Sequence, residues 1–179
     1  MKKILVLSTS PRKGGNSDML ADAFIEGARE AGHAVEKVCL REKDIRFCKG
    51  CLACQKTQAC VIHDDAPAIV SSMQQADVLV FATPIYYYGM CGQMKTLLDR
   101  ANPLFPAEYA FRDVYLLAAA ADEDESAVDG AVTGLNGWIS CFDKSRLRGV
   151  VRGVGATLPG DIRQKPAALE AARQMGRQA

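Results

Sequence analysis

Residues Lys3–Ser17 read KILVLSTSPRKGGNS. Ile4-Leu5-Val6-Leu7 is an apolar run short enough for a buried strand. It gives way at once to hydroxyls, bases and glycines: Ser8, Thr9, Ser10, Arg12, Lys13, Gly14, Gly15, Asn16 and Ser17. A helical pattern follows directly, with Leu20, Ala23, Phe24, Gly27 and Ala28 at i, i+3, i+4 spacing. A strand that runs through a polar, glycine-bearing loop into a helix N-terminus is an anion cradle, because loop N–H groups and the helix dipole both favour negative charge there. The loop is neither GxxxxGKS/T nor GxGxxG, which disfavours a nucleoside triphosphatase and a dinucleotide fingerprint. A hydroxyl-rich nest for one terminal phosphate remains. The competing reading is a turn rich in Gly and Ser for conformational reasons alone.

Working outward, Ala34–Leu40 reads as a second strand, with Cys39 a small buried hydrophobe. Residues 77–83, DVLVFAT, form a continuous apolar run, the mark of a central parallel strand buried on both faces. Arg112–Ala121 and Arg148–Ala156 supply two more strands. Helices are expected over Ser17–Ala31, from Asp65 with Pro67 in the first turn, over Cys91–Ala101, over Ser126–Cys141 and over Pro166–Gln178. Cys141 reads as core. Gly130, Gly134 and Gly137 weaken their helix and leave room for another backbone. Five strands alternating with five helices predict a parallel sheet with helices on both faces: one α/β domain over residues 1–179, with an irregular cysteine-rich insert at about 44–65. Ligands of such sheets sit outside the carboxyl ends of the strands. That puts Ser8–Ser17, Pro84–Met90 and Ala119–Glu125 on one rim.

The formal net charge of +1 with 24 % charged residues gives no electrostatic case for nucleic acid or an anionic membrane surface. Apolar runs are too short to span a bilayer, and Met-Lys-Lys followed by four apolar residues reads as a strand rather than a signal peptide. Seven cysteines, four of them within Cys48–Cys60, are expected to be reduced thiols of a cytoplasmic protein, placed for metal binding or catalysis. His33 reads as a surface residue without a local catalytic partner, and His63, near Cys60 and Asp64-Asp65, as a surface loop residue rather than an extra ligand.

Three stretches resemble the flavodoxin-like NAD(P)H-dependent FMN reductases, a family that includes the iron–sulfur flavoproteins: TSPRKGGNSD (Thr9–Asp18), TPIYYYGMCGQMKTLLDR (Thr83–Arg100) and the cysteine insert ending CVIHDD (Cys60–Asp65). The resemblance implies a three-layer fold with strand order 2-1-3-4-5, bound FMN, NAD(P)H as co-substrate, and homodimers or homotetramers. It places Ser10, Arg12, Asn16 and Ser17 at the phosphate. It places Pro84, Ile85, Tyr86, Tyr87, Tyr88 and Gly89 against the ribityl chain and ring. A flat, largely apolar slot with N–H donors suits a flavin; packing against the core or a neighbouring subunit is the other use of the tyrosines. Lys95 and the pair Asp99-Arg100 also look family-like, though a solvated helix end with a local ion pair explains them equally. Cys91 is expected near the flavin rim. A phosphorylation receiver shares the topology but needs acidic residues where Ser8-Thr9-Ser10 stand.

Cys48, Cys51, Cys54 and Cys60 follow a C-x2-C-x2-C-x5-C spacing. Short steps let one loop wrap an inorganic cluster, each thiolate bonding one iron. The spacing resembles the iron–sulfur flavoproteins, which implies a 4Fe–4S cluster exchanging single electrons with the flavin, with Lys49 and Lys56 offsetting charge. Four-cysteine zinc, a redox dithiol and a metal-free insert stand beside this reading. The expected function is an FMN-dependent oxidoreductase passing electrons from NAD(P)H or a ferredoxin to a small-molecule acceptor. A flavin-bearing electron carrier without its own turnover is the alternative, and a metal-binding regulatory module that has lost flavin is a third.

Overall fold

The computed structural model describes all residues of the chain, 1–179. Its strands are β1 (Lys3–Ser8), β2 (Ala34–Cys39), β3 (Val78–Tyr86), β4 (Gly89–Met90), β5 (Asp113–Ala119) and β6 (Arg146–Gly153). Its α-helices are α1 (Asn16–Glu30), α2 (Ala53–Thr57), α3 (Ala66–Gln75), α4 (Gly92–Arg100), α5 (Asp129–Ile139) and α6 (Pro166–Arg177). The sheet order is β2-β1-β3-β5-β6, parallel throughout. This is the flavodoxin-like arrangement the sequence predicts, with one addition. The two-residue β4 folds back antiparallel on the end of β3, pairing Ile85 with Met90 and Tyr86 with Gly89.

β1, β3 and β5 are buried almost throughout because helices cover both faces. One core gathers Leu5, Leu7, Phe81 and Leu116 with α3, α4 and α5. The other gathers Ile4, Val6, Val80 and Leu117 with α1 and α6. On this second face the α1 stripe of Leu20, Ala21, Phe24 and Ala28 is wholly buried. α1 and α6 approach closely because Gly27 and Gly176 lack side chains: a Cβ on Gly176 would stand 2.1 Å from the Phe24 carbonyl oxygen.

Two expectations need correction. The helix expected over Ser126–Cys141 is a 3-10 turn, Glu125–Val128, followed by α5, and Cys141 is exposed beyond its end rather than in the core. Apolar spacing alone did not mark where α5 stops. Cys39 is half-buried, since β2 is an edge strand covered on one side only. The expectation for the α5 glycines fares better: a Cβ on Gly130 would stand 2.1 Å from the Tyr88 carbonyl oxygen, so this glycine admits the β3–β4 turn.

Candidate functional site

β1 delivers its loop to the carboxyl rim and α1 takes it away. Helix geometry leaves the N–H groups of Asn16, Ser17 and Asp18 without intrahelical acceptors; the first helical bond runs from Met19 N–H to the Gly15 carbonyl. The Ser17 hydroxyl is buried and has no hydrogen-bond partner in the chain. A buried unsatisfied hydroxyl costs about 1–3 kcal/mol, so it points to an acceptor supplied from outside. Ser10 Oγ closes the loop on itself, donating to the Arg12 carbonyl at 2.9 Å and accepting from the Arg12 N–H at 3.2 Å. Gly15 must lack a side chain, since its Cβ would stand 2.6 Å from Ser10 Oγ. Gly14, at φ +62°, makes the turn.

The Asn16 side chain is fully engaged within the chain. Its amide nitrogen donates to the carbonyls of Ala156 and Leu158, both at 2.9 Å, and its Oδ1 accepts from the N–H groups of Gly160 and Ile162. The expected phosphate contact by this side chain is therefore corrected. Asn16 spends both ends of its amide holding the segment after β6 against the loop that follows β1. Its backbone N–H stays at the helix start.

Asp18 was not singled out by sequence. Its carboxylate accepts from Ser8 Oγ at 2.6 Å and from the Gly14 N–H at 3.1 Å, and it pairs with Lys37 at 2.8 Å. Burial works against its charge. Hydrogen bonds from Lys37, Ser8 and Gly14 outweigh that and hold the carboxyl below its ordinary range. The loop after β1 is thus braced from beneath by an ion-paired carboxylate. A polar residue one turn into an amphipathic helix gives no signal of this kind.

The second rim loop follows Thr83, whose Oγ1 accepts from the Cys91 N–H at 3.1 Å, while the Cys91 thiol meets Thr9 Oγ1 at 3.1 Å. Cys91 is fully buried at the head of α4 and joins the first two rim loops. Pro84 and Ile85 are half-buried at the end of β3; Tyr86, Tyr87 and Tyr88 are exposed. Tyr87 and Tyr88 both adopt left-handed backbone, at φ 48° and 62°. Tyr88 donates its hydroxyl to Asp122 of the third loop at 3.1 Å, and that bond raises its pKa. The expected phosphate-loop and aromatic residues therefore lie on one rim. Arg12 is exposed there.

The cysteine insert lies elsewhere. Its base is tied where Asp65 N–H donates to the Asp44 carbonyl and Asp44 N–H to the Asp65 carboxylate. From there it runs along α4. Ile45 and Phe47 share a cavity with Gly92 and Thr96, and Cys48, Gly50 and Leu52 share the next with Leu98, Ala101 and Asn102. The cysteines thus sit at the far end of a nine-residue helix from the rim, roughly 13 Å along its axis. Cys48 and Cys51 are exposed, Cys54 is buried and Cys60 half-buried. No three metal-ligating side chains converge on one point in this structure. The surroundings still suit thiolates. The Gly50 N–H donates to Cys48 Sγ at 3.4 Å, and the Asn102 amide donates to Cys54 Sγ at 3.1 Å.

Arg100 clamps the insert. It is 1 % exposed and forks onto both oxygens of Asp64, at 2.6 and 2.9 Å. It also donates to the carbonyls of Arg46 and Ile62, on either side of the cysteines. Burial works against the Asp64 charge. The guanidinium and the N–H groups of Arg46 and Ala66 prevail and hold the carboxyl down at about 2. The reading of a solvated helix end with a local ion pair holds for Lys95 and Asp99, which pair across one turn at 2.7 Å, but not for Arg100, which turns inward to a partner far away in sequence.

The profile of the NADPH-dependent FMN reductases matches residues 2–155. The chain belongs to that family. It is 37 % identical over 103 residues to an iron–sulfur flavoprotein of Archaeoglobus fulgidus, an overlap of 58 % of this chain and 46 % of that one. The chain spans about half the length of the iron–sulfur flavoproteins it matches. It is 29 % identical over 182 residues, 97 % of this chain and 96 % of the other, to the Bacillus subtilis protein YwqN, provisionally named an NAD(P)H-dependent FMN-containing oxidoreductase. Among solved structures, the NAD(P)H:quinone oxidoreductase of Methanothermobacter marburgensis superposes with a TM-score of 0.76 at 19 % identity, covering 99 % of this chain and 95 % of that one. At that identity the likeness shows the fold. No helix of the chain is long and apolar enough to cross a membrane.

Proposed function

We propose that this chain is an FMN-dependent NAD(P)H oxidoreductase, a single flavin-binding unit carrying its cysteine insert at about 44–65. One observation carries the reading: a buried, unpartnered Ser17 hydroxyl beside the free N–H groups of a helix start, in a chain of this family. Ser10, Arg12, Ser17 and the backbone of Asn16 hold the phosphate, and Asn16 and Asp18 keep that loop in shape. Pro84 to Gly89 flank the ring, which the turn at Tyr87–Tyr88 presents at the rim. FMN, when bound, supplies the two-electron hydride chemistry, and the protein sets its position and excludes water. No side chain acts as a nucleophile or proton donor in this scheme. The test is titration of the protein with FMN and riboflavin, then steady-state NADH and NADPH oxidation with quinone or free flavin as acceptor. Equal affinity for the two flavins sinks the phosphate loop assignment. Flavin binding without turnover makes the chain an electron carrier.

A second reading adds to the first. Cys48, Cys51, Cys54 and Cys60 hold a 4Fe–4S cluster, supported by the N–H donors that face Cys48 and Cys54 and by the resemblance to iron–sulfur flavoproteins. Such a cluster supplies one-electron chemistry, so a ferredoxin is a fitting redox partner alongside small-molecule acceptors. The reduced thiols fit a cytoplasmic location. The exposed tyrosines, with Phe47, Leu52 and Phe105, form apolar surface suited to a homodimer or homotetramer. Iron and sulfide analysis of anaerobically prepared protein tests the cluster, and sedimentation at micromolar concentration tests the assembly.

A further inference from the structure

The start of α1 carries a buried carboxylate, an awkward neighbour for an anion. Asp18 is 4 % exposed and stands in the first turn of the helix. It draws on the same dipole that serves a phosphate, and it takes the Gly14 N–H at 3.1 Å. Two negative groups at one helix start repel unless cations intervene. The cations come from beyond α1. Lys37 of β2 reaches Asp18 at 2.8 Å and Asp22 at 2.5 Å. Arg41, in the 3-10 turn Leu40–Glu42, sets Nη1 3.6 Å from the second Asp18 oxygen. That nitrogen is buried and makes no hydrogen bond in the chain, while Nη2 is spent on exposed Glu42 at 2.7 Å. Fastening β2 to α1 needs only the bond to exposed Asp22, and such surface pairs are worth little. Instead two cations converge on the one carboxylate beneath the loop.

We propose that Lys37 and Arg41 are positioning residues of the flavin phosphate site: by neutralising Asp18 from the β2 side they let the start of α1 accept a phosphate dianion, and so set the preference for FMN over riboflavin. The inference rests on the FMN reading above and deepens it. Neither cation touches the phosphate in this scheme. The charges around the site are Asp18, Lys37 and Arg41, with Asp22 and Glu42 behind them and the exposed Arg12 and Lys13 on the loop itself. Without Lys37 the Asp18 charge opposes that of the phosphate, which then keeps its second proton to a higher pH.

The test uses the full chain stripped of flavin. Wild type, Lys37→Met, Lys37→Arg, Arg41→Gln and the double variant Asp18→Asn with Lys37→Met are titrated with FMN and with riboflavin, whose binding checks the fold. Lys37→Met is expected to weaken FMN roughly tenfold and spare riboflavin, the effect of one uncompensated charge near an anion. Lys37→Arg restores the wild-type ratio of the two affinities. Arg41→Gln removes a charge without breaking a hydrogen bond of Asp18 and weakens FMN about threefold. The double variant has no carboxylate left to neutralise, so its ratio returns to within about threefold of wild type. Phosphorus NMR of bound FMN gives a second readout. The second ionisation of the phosphate, about 6 in a free monoester, moves up by about one pH unit in Lys37→Met, the linkage counterpart of the tenfold loss, and stays in place in Lys37→Arg. A wild-type ratio in both Lys37→Met and Arg41→Gln overturns the inference and leaves the phosphate site standing. A double variant as weak for FMN as Lys37→Met alone overturns it too. Should Lys37→Met bind neither flavin, Arg41→Gln and the double variant decide. Wild type with equal affinity for the two flavins overturns the phosphate reading itself, and this inference with it.

Discussion

The carboxyl rim and the cysteine insert are both built from loops, yet they are held in opposite ways. On the rim, the parallel sheet fixes the start of each loop; short-range bonds of Ser10 to Arg12 and of Asp18 to Ser8 and Gly14 shape the first loop, and Asn16 ties it to residues 156–162. The insert has no strand to lean on. It is pinned by contacts reaching across the sequence, from Arg100 to Asp64 and from Asn102 to Cys54. The rim is therefore preorganised by topology, whereas the insert depends on one buried ion pair. Substitutions should separate the two.

The largest effect is expected from breaking that pair. Arg100→Met leaves the Asp64 carboxylate buried without its counter-ion, and removing one partner of a buried pair costs about 3–5 kcal/mol. Urea unfolding should show a loss of that size. A loss below about 1 kcal/mol would mean that the insert is not held from α4.

Next come two neighbours on the rim with contrasting roles. Asn16→Ala strips the bonds that anchor residues 156–162 and should cost about 2 kcal/mol of stability, at about 0.5–1.5 kcal/mol per net hydrogen bond. It should weaken FMN more than riboflavin, because it loosens the loop proposed to meet the phosphate. Ser17→Ala should leave the stability of the flavin-free protein unchanged or slightly higher. It should weaken FMN roughly tenfold and spare riboflavin, since a hydrogen bond to a charged group is worth about 1.5–3 kcal/mol. Urea unfolding of the flavin-free variants, read beside paired titrations with the two flavins, separates the bracing role of Asn16 from the direct contact of Ser17.

Acid should reach the insert through Asp64. Its carboxyl sits at about 2 in the folded chain against 3.8 for the free side chain. The unfolded chain therefore binds more protons between these values, so stability rises with pH across the window and is lost as pH falls from about 4 to about 2. The contribution is roughly 2 kcal/mol. Asp18 is lowered as well and adds a loss of the same sign on the rim. Asp64→Asn should flatten the acid limb of a stability–pH curve while the Asp18 part persists.

How legible each region was follows from the same contrast. β1, β3 and β5 announce themselves as continuous apolar runs, and the loop after β1 shows its chemistry in consecutive residues. The parallel strands and rim loops could therefore be read directly, whereas the sheet order followed from the family resemblance. Ser17 lies within that run, and its buried, unpartnered hydroxyl suits the proposed phosphate contact. Asn16 was misassigned because its partners, Ala156 to Ile162, lie at the other end of the chain. Arg100 looked like a solvated helix end because Asp64 is 36 positions away and nothing local marks it as buried. The short β4 escaped because its turn carries Tyr-Tyr where a hairpin signal would be Asn-Gly.

That turn supplies the smallest effect. Two-residue hairpin turns of this type need positive φ at both central residues, and Tyr87 and Tyr88 both comply at a cost of about 1 kcal/mol or more each. Tyr88 is compensated: its carbonyl rests on Gly130 and its hydroxyl reaches Asp122. Tyr87 is fully exposed, and no bond of its side chain repays the strain. Strain kept where the chain gains nothing from it points to a contact outside the chain, here the flavin ring. Tyr87→Gly should relieve the backbone and raise the stability of the flavin-free protein by about 1 kcal/mol, or about 3 °C in Tm for a chain of this length. It should also raise the Kd for FMN and riboflavin together, since the ring contact does not involve the phosphate. A higher Tm with both affinities unchanged would remove Tyr87 from the flavin site and leave the interface between subunits as the place where its strain is used.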